Sequence, residues 1–538
     1  MAYMDAILAY NDNFGDFSLN AIAGISYQET RYGDGVSVST GSTNLMIFPN
    51  VFTFQNVNPQ TRIQTSFSSR GIKEGYFGNA AIGYKEMLFL DLSGRYDRSS
   101  TLANTDIGVG YFYPAAGLSA ILSQMVSLPS FVTFGKVRGS YTEVANEVGF
   151  DNIFQRMSIN SRQGGVSSPS QPNWTDAKPE KIASFEFGTD WRFLEGRVGF
   201  DFTYYDITST DQRMSPSVIR GYGFRNKTIN TGKLVNRGIE LLVDAEPVST
   251  GDFSWHTSIN FARNKNKVVA VSYDDPNYFI ESRSSSYVYR IVNGGQVGDL
   301  YSYDFARDDA GRILLDSDYK PIKTSTWLYM GSPHPDFTLG WNNTFSYKRW
   351  SMGFLINGVF GGKVASYTQS WYDIYGVSKR TANARDKGYI EIDAIVHAPA
   401  EYDPMGVLEE PEAWNHGKIL SRLNAIEFDE DGDEIKALEY WYRTIGGENG
   451  IFSNYFYDRT NIRLTQFSLN YDLPVRQWNL PLKSASVGVV GQNLFFLYRN
   501  APYDPELAMS TTGVGSAAVD NFGLPATRTY GFNIKINF

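Results

Sequence analysis

Segments of about ten residues that alternate apolar with polar side chains recur along this chain, and they restrict its fold more than any other feature. Ala183, Phe185, Phe187 and Trp191 alternate with Ser184, Glu186, Asp190 and Arg192. After Leu194-Glu195-Gly196 the pattern resumes in Val198, Phe200, Phe202 and Tyr204. Phe253, Trp255, Ile259 and Phe261 repeat it against Ser254, His256, Ser258 and Asn260. The last segment sets Tyr530, Phe532, Ile534, Ile536 and Phe538 against Asn533, Lys535 and Asn537. A period of two gives a strand one apolar and one polar face.

Water-soluble sandwiches alternate as well, so strand length and loop order carry the distinction. Soluble strands average about 5–6 residues, and these segments run to about ten. Short turns are expected near Asn11–Asp16, Lys85-Glu86, Leu194–Gly196, Pro247–Asp252, Asn293–Gly298 and Lys348-Arg349. Long polar loops are expected near Glu29–Glu74, Ala145–Pro179, Thr208–Leu234, Gly361–Asn461 and Tyr498–Arg528. Short and long connections alternate nearly throughout, as in outer-membrane barrels with periplasmic turns and extracellular loops. A compact soluble domain has no reason to sort its loops this way, nor to carry so many long ones. The expected fold is therefore all-β, a transmembrane antiparallel barrel of roughly 16–17 strands with an apolar outer face toward lipid.

Composition agrees. Aromatic residues make up 15% of the 538-residue chain and Gly numbers 50, a balance that suits strands rather than helical arrays. No run approaches the roughly 18 apolar residues of a membrane-spanning helix, but barrel strands escape that test. The net charge of -9 argues against a nucleic-acid partner. Without Cys there is neither a disulfide framework nor a thiolate metal site. MAYMDAILAY lacks the basic, apolar and small-residue regions of a signal peptide and opens directly on a strand-like segment. Bacterial single-chain barrels have even strand numbers, so roughly 17 strands imply an odd number upstream of Met1. The expected single domain, residues 1–538, is a barrel portion whose beginning lies elsewhere.

Several segments, in order, resemble the SusC/RagA family of TonB-dependent outer-membrane importers. They include LDLSGRYDRSSTLA (Leu90–Ala103), YFYPAAGLSA, the hairpin Lys178–Asp211, the return Asn230–Val248 and the hairpin Gly331–Val364. IRLTQFSLNYDLP, GQNLF, YDPE and LPATRTYGFNIKINF complete the C-terminal end. The matches reach from about Tyr76 to Phe538 with the loops unmatched, and YTEVANEVG departs from a glycine-richer turn. The resemblance implies a barrel of about 22 strands with a plugged lumen. It also implies a plug and a TonB-contacting segment N-terminal to the barrel, and about five further strands before Met1. The partners it implies are a SusD-like surface lipoprotein lid and TonB-ExbB-ExbD. Terminal Phe538 resembles the assembly signal of such barrels.

No nucleophile elbow, zinc-protease pair or phosphate loop is present, so an enzyme is not expected and no cofactor is implied. His256, His334, His397 and His416 stand at no ligand spacing. The run Asp429, Glu430, Asp431, Gly432, Asp433, Glu434 suggests a calcium loop, but its glycine comes too early for the EF-hand order. Asp429, Asp431 and Asp433 are kept as weak calcium candidates beside the plainer reading of a solvated acidic loop. Trp371, Tyr372, Tyr375, Trp414, Tyr440, Trp441 and Tyr442 in the longest loop are the substrate-contact candidates. Their flat faces suit sugars or other apolar ligand surfaces, and loop packing is the competing role. The expected function is active import of a glycan or a peptide across the outer membrane. The alternative is a passive porin complete at about 16 strands.

Overall fold

The computed structural model describes all residues except 41–45, 49, 52, 59–61, 104, 106–109, 149–152, 154–157, 161–164, 168–171, 215–226, 274–276, 285, 397–416, 430, 448–449, 479–480, 507–517 and 525. Among the described residues, fifteen strands hydrogen-bond into one sheet in chain order. They are β1 (Ala2–Phe14), β2 (Phe17–Thr40), β3 (Arg62–Tyr84), β4 (Leu88–Ser99), β5 (Gly110–Ile121), β6 (Val132–Asn146), β7 (Glu180–Phe193) and β8 (Val198–Thr210). β9 (Lys233–Ser249), β10 (Phe253–Ala270), β11 (Phe337–Tyr347), β12 (Trp350–Phe360), β13 (Asn461–Leu473), β14 (Ser484–Arg499) and β15 (Thr529–Asn537) follow. The chain forms two compact units, residues 1–128, 136–188 and 205–233, and residues 129–135, 189–204 and 234–538.

Among the described residues these fifteen strands are two fewer than the expected count of roughly 17, and the two short strands beside one expected turn lie outside the main sheet. The turn at Asn293–Gly298 joins Tyr287–Ile291 to Asp299–Ser302 inside a separate four-stranded sheet in the β10–β11 loop. Period two reports a strand with unlike faces; it does not report which sheet the strand joins. The expected loop at Glu29–Glu74 is also shorter than its polarity suggested. β2 and β3 stay paired from Phe17↔Tyr84 up to Thr40↔Arg62, with one bulge between Tyr32 and Gly35. Backbone ladders continue beyond the apolar band, where polar side chains are free to face water.

In the first unit the faces sort cleanly. Leu90, Leu92 and Tyr96 of β4 stand beside Leu118, Ala116 and Phe112 of β5. The intervening Arg95 and Asp97 point the other way, where Arg95 Nε donates to Asp97 Oδ1 at 2.7 Å and Arg95 Nη2 to Ser26 Oγ at 3.0 Å. Tyr113 donates to Asp97 Oδ2 at 2.5 Å. The Arg-Tyr-Asp motif thus splits across the sheet, with its charges on the polar face and its ring on the apolar one. Gly75 leaves the space that the Arg95 guanidinium and the Asp97 carboxylate occupy; a side chain there would push them aside.

In the second unit, Phe532, Ile534 and Ile536 of β15 align with Val489, Val487 and Ala485 of β14 on one face. Phe532 is 90% exposed to its surroundings. A contiguous apolar face on this scale belongs in lipid rather than water. Among the described residues no helix is long and apolar enough to cross a membrane. The ring of Phe538, just past β15, is exposed as well.

Candidate functional site

The β10–β11, β12–β13 and β14–β15 loops of the second unit fold around a core of their own. Buried Tyr287, Leu300, Val364, Trp441, Ile445, Phe452 and Tyr455 form its centre. Around it pack the four-stranded sheet, a three-stranded sheet of Ile313–Leu315, Tyr389–Val396 and Lys418–Asn424, and another of Phe456–Asp458, Lys363–Ser366 and Val519–Asp520. Three helices complete it: α1 (Tyr367–Ile374), α2 (Lys379–Lys387) and α3 (Ala437–Gly446).

Local chemistry sets the helix ends. Ser366 caps α1 by accepting from Gln369 N at 3.0 Å, and its hydroxyl donates to Asp520 Oδ2 at 2.7 Å, tying the helix to the β14–β15 loop. Ser378 caps α2 by accepting from Thr381 N at 3.1 Å, and Gly388 ends it at φ 75°. Asp373 of α1, whose side chain is fully buried, is held by the Arg380 guanidinium of α2. Burial, the largest single influence, opposes the Arg380 charge, yet the hydrogen bond to Asp373 together with the charges of Asp373, Tyr455 and Tyr457 outweighs it and raises the arginine further above its ordinary range. The same guanidinium lies 4.9 Å from the Tyr455 ring centre.

The aromatic candidates divide by position. Trp441 is buried in the core and stacks on Phe305 at 5.4 Å. Tyr440 and Tyr442 pack against that core, Tyr440 beneath the Lys320 ammonium. Trp371, Tyr372 and Tyr375 are exposed on or just beyond α1. Trp371 and Tyr375, four residues apart and so on one helix face, stack at 5.7 Å. Tyr372 meets exposed Phe522 edge-on at 5.8 Å. Trp414 lies outside the described residues, as do His397 and His416. His256 is exposed on the polar face of β10, and a His334 ring nitrogen is 2.8 Å from the Val297 carbonyl.

Tyr372 and Phe522 also line a cleft of about 590 Å³ floored by Arg463, Phe496, Arg499 and Asp504. Arg463 Nη2 donates to both oxygens of Asp504, at 2.6 and 2.7 Å. The Arg463 and Arg499 guanidinium carbons stand 4.3 and 5.2 Å from the Phe496 ring centre. Tyr503 donates to the Ala365 carbonyl at 2.9 Å, and burial pushes its phenol up, so it stays a neutral donor. Of these residues the sequence singled out Tyr372 as a substrate-contact candidate, while Arg463, Tyr503 and Asp504 fell within the segments IRLTQFSLNYDLP and YDPE without a site role. Phe522 and the arginines had no visible spacing to join them.

At the acidic run, Asp429 Oδ1 accepts from the backbone N–H of Asp431 at 3.1 Å and of Asp433 at 2.7 Å. The Asp429 carboxylate therefore organises a tight turn between Glu427–Phe428 and Glu434–Ile435. Among the described residues no three acidic, His or Cys side chains come together as a metal site.

The long antiparallel strands with one apolar face are those of an outer-membrane β-barrel. The family model "TonB dependent receptor-like, beta-barrel" matches residues 3–404, and the chain belongs to that family. It is similar to TonB-dependent receptor P3 of Formosa agariphila, 23% identical over 575 aligned residues that cover 99% of this chain and 52% of that protein. TonB-dependent receptor SusC of Bacteroides thetaiotaomicron is 22% identical over 380 residues, covering 66% of this chain and 37% of the relative. The chain spans about half the length of the curated relatives it matches. Among solved structures, the RagAB peptide importer in its closed-closed state shares the fold at TM-score 0.70 and 16% identity, over 100% of this chain and 55% of that one.

Proposed function

We propose that this chain forms the transport barrel of an energy-coupled outer-membrane importer, and that its loop assembly captures an oligosaccharide or a peptide outside the cell. The observation that carries the reading is the exposed rim of Trp371, Tyr372, Tyr375 and Phe522 beside a cleft bearing Arg463 and Arg499, on a barrel of the TonB-dependent receptor family. Flat rings stack on sugar faces or apolar side chains, and arginines take up carboxylates and hydroxyls. Binding at this rim needs no covalent chemistry; inward release draws its energy from TonB-ExbB-ExbD, and a SusD-like lipoprotein covers the mouth.

The test is uptake of labelled oligosaccharide and peptide libraries by cells carrying the intact protein, with and without TonB. Uptake that disappears without TonB, and whose half-saturation rises about tenfold in a Trp371→Ala/Tyr372→Ala variant, agrees with the proposal. Uptake that is unchanged without TonB would sink it in favour of the passive porin, a reading the family match does not favour.

A further inference from the structure

The apolar face of the first unit is not uniform. Across β1–β5 it carries two adjoining hollows of about 640 and 550 Å³ that share Gly78 and Phe112. Small residues make the floor: Ala23 pairs with Gly78, Ala80 with Leu92, and Leu92 with Ala116. Tyr76, Tyr96 and Phe112 form the wall at the long-loop end, Tyr96 paired with both of the others. Phe112 holds its place because Gly94 has no side chain; a Cβ there would stand 2.9 Å from the ring. A Cβ at Gly78 would meet nothing nearer than the Ile22 carbonyl at 3.7 Å, an ordinary contact, so a side chain fits at that point of the floor.

Depth along the strand places this trough in the membrane. Tyr84 and Tyr76 are eight residues apart on β3, about 27 Å along a strand. At a tilt of roughly 40° that spans about 20 Å of an apolar band about 25 Å tall. The trough therefore opens into acyl chains and ends at the extracellular girdle. Just above the girdle on the same face, Arg98 pairs with Glu74 at 3.1 Å. Further up, Arg31 and Arg70 share a single carboxylate, Glu29, at 2.8 and 2.9 Å, and both guanidiniums are more than half exposed. Among the described residues these two arginines share that one carboxylate, and their exposed guanidiniums carry more N–H groups than it can accept from. On the β6 side the corresponding residue is an acid, Glu143, which accepts from Tyr141, so the positive end lies over β2–β4.

We infer that this face is a binding site for one phosphate-bearing lipid of the outer leaflet. An acyl chain lies in the small-residue trough between the aromatic rings, and the anionic headgroup meets Arg98, Arg70 and Arg31. The site shares no residue with the substrate-facing cleft. A surface hollow at this depth is filled by lipid or by protein, and the unbalanced arginines above it select an anionic amphiphile.

The test is native mass spectrometry of the intact protein, purified in a mild detergent and titrated with diphosphorylated lipid A or its phosphate-free analogue. Wild-type protein should retain the diphosphorylated form at least tenfold better. Gly78→Leu fills the trough at a strand position where a side chain fits, and it should lower retention of both forms about tenfold. Arg31→Glu/Arg70→Glu should erase the phosphate preference while sparing retention of the phosphate-free form. Val489→Trp, on the apolar face of β14, serves as the control and should change nothing; all variants are first checked for the heat-resistant migration of a folded barrel. Equal retention by wild type and Gly78→Leu overturns the site. So does a Gly78→Leu effect on the protein's self-association rather than on lipid, which would make the trough a contact with a second copy. Competition by inorganic phosphate alone would show a free-anion site and equally refute the lipid assignment.

Discussion

Replacing Trp441 and Trp371 separately by alanine distinguishes the frame of the outer loop assembly from its working surface. Trp441 is 7% exposed and stacks on Phe305 with planes 16° apart. Truncating a buried Trp costs about 3–5 kcal/mol, with about 0.5–1.5 kcal/mol more for a lost aromatic pair. Local opening of the loop core should therefore become at least about a hundredfold more frequent, at 1.4 kcal/mol per factor of ten. Trp371 is 41% exposed and loses chiefly its stack on Tyr375. That is about 0.5–1.5 kcal/mol, a change of up to about tenfold confined to α1. Hydrogen exchange read by mass spectrometry on the intact protein separates the two. Trp441→Ala should deprotect α3, α1 and Tyr287–Ile291 together, and Trp441→Phe should restore most of the protection. Trp371→Ala should leave α3 protected while weakening substrate capture. If Trp441→Ala left exchange in α3 unchanged yet abolished capture, Trp441 would be a binding residue and not part of the frame.

Other outcomes follow from particular contacts. Asp373→Ala strands the Arg380 guanidinium; with that side chain 36% exposed, the cost falls below the buried-pair range, at about 2–3 kcal/mol, and should appear as faster exchange in α1 and α2. Asp299 is buried and its carboxyl is raised above the ordinary 3.8, by burial first and against hydrogen bonding from Gln296. The folded four-stranded sheet therefore holds the proton more tightly than its opened form, so its stability is greatest at low pH and falls as pH rises through and above about 3.8. Asp299→Asn should flatten that fall, and protection ratios for Tyr287–Ser302 between wild type and variant should diverge with rising pH; a constant ratio refutes it. The turn between β7 and β8 carries positive φ at Leu194 (51°) and Glu195 (58°), the geometry that favours Asn-Gly. Leu194→Asn/Glu195→Gly should stabilise the hairpin by about 1–2 kcal/mol, read as a higher urea midpoint for unfolding from lipid nanodiscs.

Much of this protein is decided residue by residue along the chain. Alternation in Phe185–Trp191, Val198–Tyr204 and Tyr530–Phe538 sets each strand's apolar and polar faces, because successive side chains must point to opposite sides of a pleated backbone. The sorting of short and long connections sets the meander, and Arg95-Tyr96-Asp97 already contains its own division between girdle and polar face. What the chain could not decide is membership: the turn at Asn293–Gly298 is expected between barrel strands, yet the strands it joins, Tyr287–Ile291 and Asp299–Ser302, serve the loop core, since the partner a strand finds depends on long-range contacts. The same holds for the aromatic candidates, where Trp441 and Trp371 are alike in sequence. Only the packing of α1 and α3 over Phe452 and Tyr455 buries one ring and leaves the other exposed. The gathering of Phe522, Arg463 and Arg499 around Phe496, and of Gly78, Ala80 and Ala116 beneath Phe112, is likewise a product of register. Cross-strand neighbours lie about 5 Å apart in space whatever their separation in the chain, and no local pattern records that distance.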